Sequence, residues 1–361
     1  MTARERAQWS SGQLPPAFCF SEELEDYLRP FDNPVLHWCQ QGAGRPHRYR
    51  LALLLTATTT VEAGVLLTYV FYGAGYYQAA CVWNMHVFVL SLISQLPKRF
   101  VWRSRPYMQQ RAVALRQDRT SSFPSRGVTC ALVYPVALGR AFLGRYLSSK
   151  LATRSPWFFT LYSLAFAFAA ATAWARVHLG VHFPSDAFAG FLQGTLVLML
   201  VQPRIYQYCL GARSFWVSLG VARCQLDGLR LACMSAFGVG MLAIAELPKL
   251  QLWGKASYIF GALWGMIALR MSGLCFASPQ LPWRARIGGA LAGASSASAL
   301  VLVGIRLVRR RRNPHDVSGG VPAILGSIIV TQALPFLIIY GLSFAYLWLA
   351  PRILAKLGQT Q

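Results

Sequence analysis

Residues 175–186 read Ala-Arg-Val-His-Leu-Gly-Val-His-Phe-Pro-Ser-Asp and join two apolar runs, 157–177 and 186–202. A helix that spans a bilayer needs about 20 mostly apolar residues. A short link carrying an arginine, two histidines and an aspartate between two such runs therefore reads as a site held at a membrane surface. Pro184 and Asp186 suit the first turn of a new helix, where a missing N–H costs nothing and a carboxylate meets the positive end of the helix dipole.

Further runs lie on both sides. Residues 51–72, 79–97 and 127–147 precede the link, and 229–248, 256–276, 287–307 and 321–348 follow it. Arg140 interrupts the third run, and Pro335 can bend the last. The expected fold is an all-α, polytopic transmembrane helix bundle of about eight to ten spans. Composition agrees: 55% of the 361 residues are hydrophobic and only 13% are charged, against about 25% charged in soluble domains. The formal net charge is +23, from 35 basic and 12 acidic residues. The basic residues fall mostly between apolar runs, as at Arg309–Arg312, which fits anionic headgroups and excludes nucleic acid as the partner. The eight cysteines are scattered with no CxxC pair, so neither a disulfide framework nor a zinc site is indicated.

Three parts are expected: an interfacial segment over 1–50, a core over 51–203 and a helical bundle over 204–361. The first alternates aromatic and acidic residues, as in Phe18, Phe20, Glu22, Glu23, Glu25 and Tyr27, and reads as a helix lying on the membrane. Residues 1–15 are polar and do not read as a cleavable signal. Two carboxylates, Glu62 and Glu246, fall inside apolar runs. Glu62 either meets the site or bonds within the bundle, and Glu246 pairs at headgroup level with Lys249.

Two more polar segments join the first. Lys98-Arg-Phe-Val-Trp-Arg-Ser-Arg105-Pro106 follows the second run, and Phe123-Pro124-Ser125-Arg126-Gly127 opens the third. No span separates these two, and two spans separate the latter from 175–186, so all three reach the same membrane face. Lys98, Arg105 and Arg176 then surround one point; guanidinium forks suit phosphate oxygens and lysine adds a point charge. Ser125, with the N–H groups of Arg126 and Gly127 at a helix start, adds anion donors. His182 and Asp186 read as a nucleophile and the carboxylate that orients it. A single cation at a span end means little, since such residues usually anchor to headgroups. The histidines at 37, 47 and 315 read as surface residues and His86 as a buried, bonded one.

Together, in this order and spacing, the three segments resemble the motifs of the type 2 phosphatidic acid phosphatase superfamily over about residues 51–203, with most similarity to its sphingosine-1-phosphate phosphatases. The resemblance implies a membrane phosphatase that hydrolyses a phosphomonoester of the sphingoid-base phosphate or phosphatidic acid class. Lys98, Arg105, Ser125, Arg126, Gly127 and Arg176 would hold the phosphate, His182 would form a phosphohistidine, and Asp186 would hold His182. No metal or cofactor is implied, the partners are phosphorylated and bilayer lipids, and an endomembrane such as the endoplasmic reticulum is the expected location. Two positions depart from the pattern. The third-motif serine is Ala175, and the second-motif histidine, the family's general acid, is Gly127. General acid catalysis contributes typically 10²–10⁴-fold. Three readings follow: a substitute acid, with His178 as the candidate; a substrate with a better leaving group; or a pseudophosphatase that binds phosphorylated lipid.

Overall fold

The computed structural model describes residues 18–118, 120–147, 156–205 and 282–309. It is mostly helical. The expected runs at 229–248, 256–276 and 321–348, with Glu246, lie outside the described residues. The chain divides into one unit of residues 1–63 and 89–203 and another of 64–88 and 204–361.

The first unit opens on a two-residue strand, β1 (Phe18–Cys19), and a 19-residue helix, α1 (Glu22–Gln40). The Ser21 hydroxyl accepts from the Leu24 N–H, and Glu22, Glu23 and Glu25 fill the first turn, where carboxylates meet the positive helix end. The helix has two faces. Glu25, Asp32, Leu36 and Cys39 are buried, whereas Tyr27, Phe31, Val35 and Trp38 are exposed. The N-terminal segment therefore does present an apolar stripe outward, but its inner face is part of the core.

The run expected as one span at 51–72 is two helices, α2 (Pro46–Thr58) and α3 (Val61–Gly73), bent by 61°. The threonines explain the break. The hydroxyls of Thr58, Thr59 and Thr60 bond the carbonyls of Leu55, Thr56 and Ala57 three residues back, competing with the helical ladder. Next come α4 (Tyr77–Phe100) and β2 (Val101–Trp102), which pairs parallel with β1 in the register Phe18 to Val101 and Cys19 to Trp102. A long connection leads to α5 (Arg126–Leu147), then α6 (Pro156–His178) and α7 (Pro184–Leu196), the last continuing through a π-helical turn at Val197–Val201. In the second unit, α8 (Trp283–Arg309) covers the run expected at 287–307.

In the first unit, α5 packs on α6 and α7, α2 lies against α6, and α1 touches both α6 and α7. Gly190 permits the closest of these approaches, since a Cβ there would meet the Ser125 carbonyl oxygen at 2.4 Å. Gly180, at φ +73°, makes the turn between α6 and α7, a conformation that favours glycine. Among the described residues, only Pro184–Ile205 is by itself long and apolar enough to cross a membrane, and α2 with α3 qualifies if the bent pair is one span.

Candidate active site

The ends of α4, α5, α6 and α7 meet over the 101–125 connection, and Lys98, Arg105, Ser125, Gly127, Arg176, His182 and Asp186 are all buried there. Arg126 is half-buried at the start of α5. Lys98 Nζ donates to the Ser121 carbonyl at 2.8 Å. Arg105 donates through Nε to the Thr120 carbonyl at 2.8 Å, through Nη1 to the Val181 carbonyl at 2.5 Å, and through Nη2 to Thr120 Oγ1 and the Ser121 carbonyl. These bonds fold the connection around the cations and bring the first and third segments together.

Arg176 reaches His182 directly: its Nη2 lies 2.8 Å from His182 Nε2. A guanidinium only donates, so Nε2 holds the lone pair and Nδ1 the proton. Burial, followed by the charges of Arg176, Arg105 and Lys98, holds the His182 imidazole well below its ordinary pKa, which keeps it neutral. His182 Nδ1 is 3.8 Å from Asp186 Oδ2 and has no hydrogen-bond partner. The expected imidazole–carboxylate pair is thus close but not bonded. Asp186 is held by others: Oδ2 accepts from the Phe183 N–H at 2.8 Å and from the Ser122 hydroxyl, and Oδ1 accepts from Arg103 at 2.7 Å. The Phe183 contact is half of a capping box that starts α7.

Ser125 has a buried hydroxyl with no partner, while its N–H donates to the Asp186 carbonyl at 3.0 Å. A buried polar atom left unpaired is costly, so this hydroxyl fits a ligand oxygen. The first N–H groups of α5, those of Arg126 and Gly127 among them, have no intrahelical acceptor. A Cβ at Gly127 would touch Arg176 Cδ and Thr59 Oγ1, each at 3.4 Å.

His178 makes other contacts. Its Nδ1 bonds the Cys39 carbonyl at 2.8 Å and its ring stacks on Trp174 at 5.0 Å. Since a carbonyl only accepts, Nδ1 carries a proton and turns it to α1. These contacts fit a residue that fastens α1 to α6 better than a spare acid.

Four further residues complete the site, and sequence reasoning passed over them. Arg103 uses all five of its N–H donors, on Glu25 Oε1 and Oε2, Asp32 Oδ2, Asp186 Oδ1 and Ser185 Oγ, at 2.7–3.1 Å. Its guanidinium lies between the rings of Phe20 and Phe183, 4.9 and 4.2 Å from their centroids. Burial alone would lower its pKa, but Asp186 and Glu25 outweigh burial and raise it. Asp32 also accepts the Ser185 N–H and hydroxyl, each at 2.8 Å. The signal was present: Glu25 and Asp32 are seven residues apart, on one helix face. The fourth, Asp118, is the only acidic residue between Glu62 and Asp186, and it faces Arg105, Arg116 and Arg176.

Removing one partner from a buried ionic network leaves the others uncompensated, typically at 3–5 kcal/mol. Arg103→Met is therefore expected to destabilise the first unit by roughly 3–5 kcal/mol, read as a large drop in melting temperature in detergent. A change under about 1 kcal/mol, the usual worth of an exposed pair, would contradict the burial of this network.

A search of curated proteins and a search of solved structures each return no match to this chain. Residues 79–208, which include His182 and the cations around it, match the family model of the PAP2 superfamily.

Proposed function

We propose that the chain is a multi-pass membrane phosphatase that removes the phosphoryl group from a lipid phosphomonoester through a phosphohistidine at His182. The observation that carries this reading is the contact between Arg176 and the neutral, lone-pair-bearing Nε2 of His182. A nucleophile and a cation share one point there, where a phosphoryl group between them would meet both. In the first step Nε2 attacks phosphorus and the bond to the lipid oxygen breaks, that oxygen leaving as an alkoxide that takes a proton. In the second, water attacks the phosphohistidine, inorganic phosphate leaves, and the imidazole is restored. Arg176, Arg105, Lys98 and the Ser125 hydroxyl would stabilise the equatorial oxygens, the main contribution in phosphoryl transfer. Asp186, fixed by Arg103, Ser122 and Phe183, lies within a small shift of His182 Nδ1 and would balance its positive charge in the intermediate.

Lipid as the substrate class rests on the surroundings. Phe188, Leu192 and Leu196 on α7 are exposed. An open apolar groove of about 630 Å³ runs between α1, α6 and α7, lined by residues such as Val35, Trp38, Phe166 and Phe191. Sphingoid-base phosphates and phosphatidic acid are the favoured substrates, an endomembrane such as the endoplasmic reticulum the favoured location, and further spans are expected in the second unit.

A second reading has its own observation. At Gly127 no imidazole is available to protonate the leaving alkoxide, and His178 is turned to Cys39, so a slow or inactive binder of phosphorylated lipids fits the same pocket. Trapping separates the two. The full chain in detergent is mixed with lipid phosphomonoester labelled on phosphorus, quenched in base and examined for bound label. An acid-labile, base-stable adduct on His182 with release of free phosphate is expected. Retention of intact labelled lipid with no covalent adduct would replace the enzyme by the binder.

A further inference from the structure

We propose that Asp118 is an internal anion seated where the substrate's phosphoryl group binds, so that every ligand must displace it. The inference rests on the reading of Arg105 and Arg176 as the phosphoryl-binding pair. Asp118 Oδ2 lies 3.1 Å from Arg176 Nη2 and 3.7 Å from Arg105 Nη1, and Oδ1 lies 3.3 Å from Arg116 Nε. The Arg176 nitrogen that meets Asp118 is the one that meets His182 Nε2. The carboxylate thus sits beside the nucleophile, on the same donor that an attacked phosphoryl group would use.

Its charge state agrees with this placement. Burial would raise its pKa, but Arg105, Arg176 and Arg116 outweigh burial and hold the carboxyl well below the usual range. Asp118 is therefore an anion throughout the physiological range. Unlike Asp32 and Asp186, whose side chains are fully enclosed, it keeps 23% of its side-chain surface exposed, so a path to water remains when it swings out. Its backbone is tethered independently: the Tyr107 hydroxyl donates to its carbonyl at 2.7 Å. Side-chain rotation on a held backbone is enough to vacate the seat. Neighbouring atoms of the connection act the same way, because the Thr120 and Ser121 carbonyls occupy donors of Arg105 and Lys98.

A ligand that binds only the vacated form has its apparent affinity reduced by the fraction vacated. The reduction is the same for every anion, because it belongs to the protein and not to the ligand. A residue that merely orients the arginines would have the opposite sign on removal.

The test is equilibrium binding of inorganic phosphate, and separately of sulfate, to the full chain in detergent, comparing the natural protein with Asp118→Asn. The expected result is about tenfold tighter binding in the variant, corresponding to a seat vacated roughly a tenth of the time, with the same factor for both anions. Unchanged or weaker binding in a variant of normal melting temperature would overturn the proposal. If Asp118→Asn melts early, Asp118→Ala takes its place with the same expectation. Absence of phosphate binding in both natural protein and variants would overturn the phosphoryl-seat reading itself, and this inference with it.

Discussion

His182→Gln is expected to lower turnover of a lipid phosphomonoester by roughly a thousandfold or more, the scale seen when a covalent nucleophile is removed. The substitution keeps a polar side chain of similar reach, so Arg176 retains an acceptor and the fold is spared. Only the nucleophilic lone pair is lost. The same imidazole sets the pH dependence. Its pKa is lowered by burial and by Arg176, Arg105 and Lys98, so protonation begins only well below the ordinary value of about 6.5. As pH falls through 6.5, the nucleophile stays neutral, and the acid limb of kcat due to His182 lies beneath that range. The substrate itself titrates near pH 6, so the profile is compared with that of a more acidic phosphorothioate substrate. A limb in the ordinary imidazole range that does not move with the substrate would contradict the environment described for His182. Turnover that survives His182→Gln would put the nucleophile elsewhere.

Gly127→His is expected to raise turnover of a lipid phosphomonoester by about 10²–10⁴-fold, the usual worth of a general acid. Space permits it. A Cβ at this position meets Arg176 and Thr59 at ordinary van der Waals distance, and it is directed to the arginine that contacts the nucleophile. An imidazole there would lie near the departing oxygen. The gain should depend on the leaving group: an alkoxide needs a proton, whereas an aryl phosphate, whose phenolate leaves readily, should gain little. Equal gains on both substrates would mean that the new side chain acts by binding. A fall in both would mean that the absent imidazole has an intrinsic replacement which the substitution disturbs.

Much of the site was legible because its parts sit at the ends of apolar runs. Counting crossings brings Lys98, Ser125 and His182 to one face with no knowledge of packing. The ionic support was harder to read. Arg103 stands between two residues of the motif and looks like another headgroup anchor, and only the tertiary fold shows that it carries three carboxylates. Glu25 and Asp32 were hidden for a related reason: acidic residues among aromatics describe a surface helix equally well, and α1 is one on its outer face. Asp118 has no periodicity around it at all, and loops carry no pattern from which a partner can be inferred. The bend between α2 and α3 was missed because hydropathy does not register threonine hydroxyls that turn back on their own helix.

Asp32 accepts from Arg103, 71 residues away, and from Ser185, 153 residues away. During synthesis α1 emerges long before either partner, and Asp32 has its full set of partners only once α7 is made. Contacts of such long sequence separation carry a loop-closure cost before they give anything back. The network beneath His182 therefore cannot close until the chain has been made through Asp186, well after Glu25, Asp32 and Arg103. Assembly thus has an order written into it: the ionic network that fixes Asp186 is completed only when α1 docks against α7.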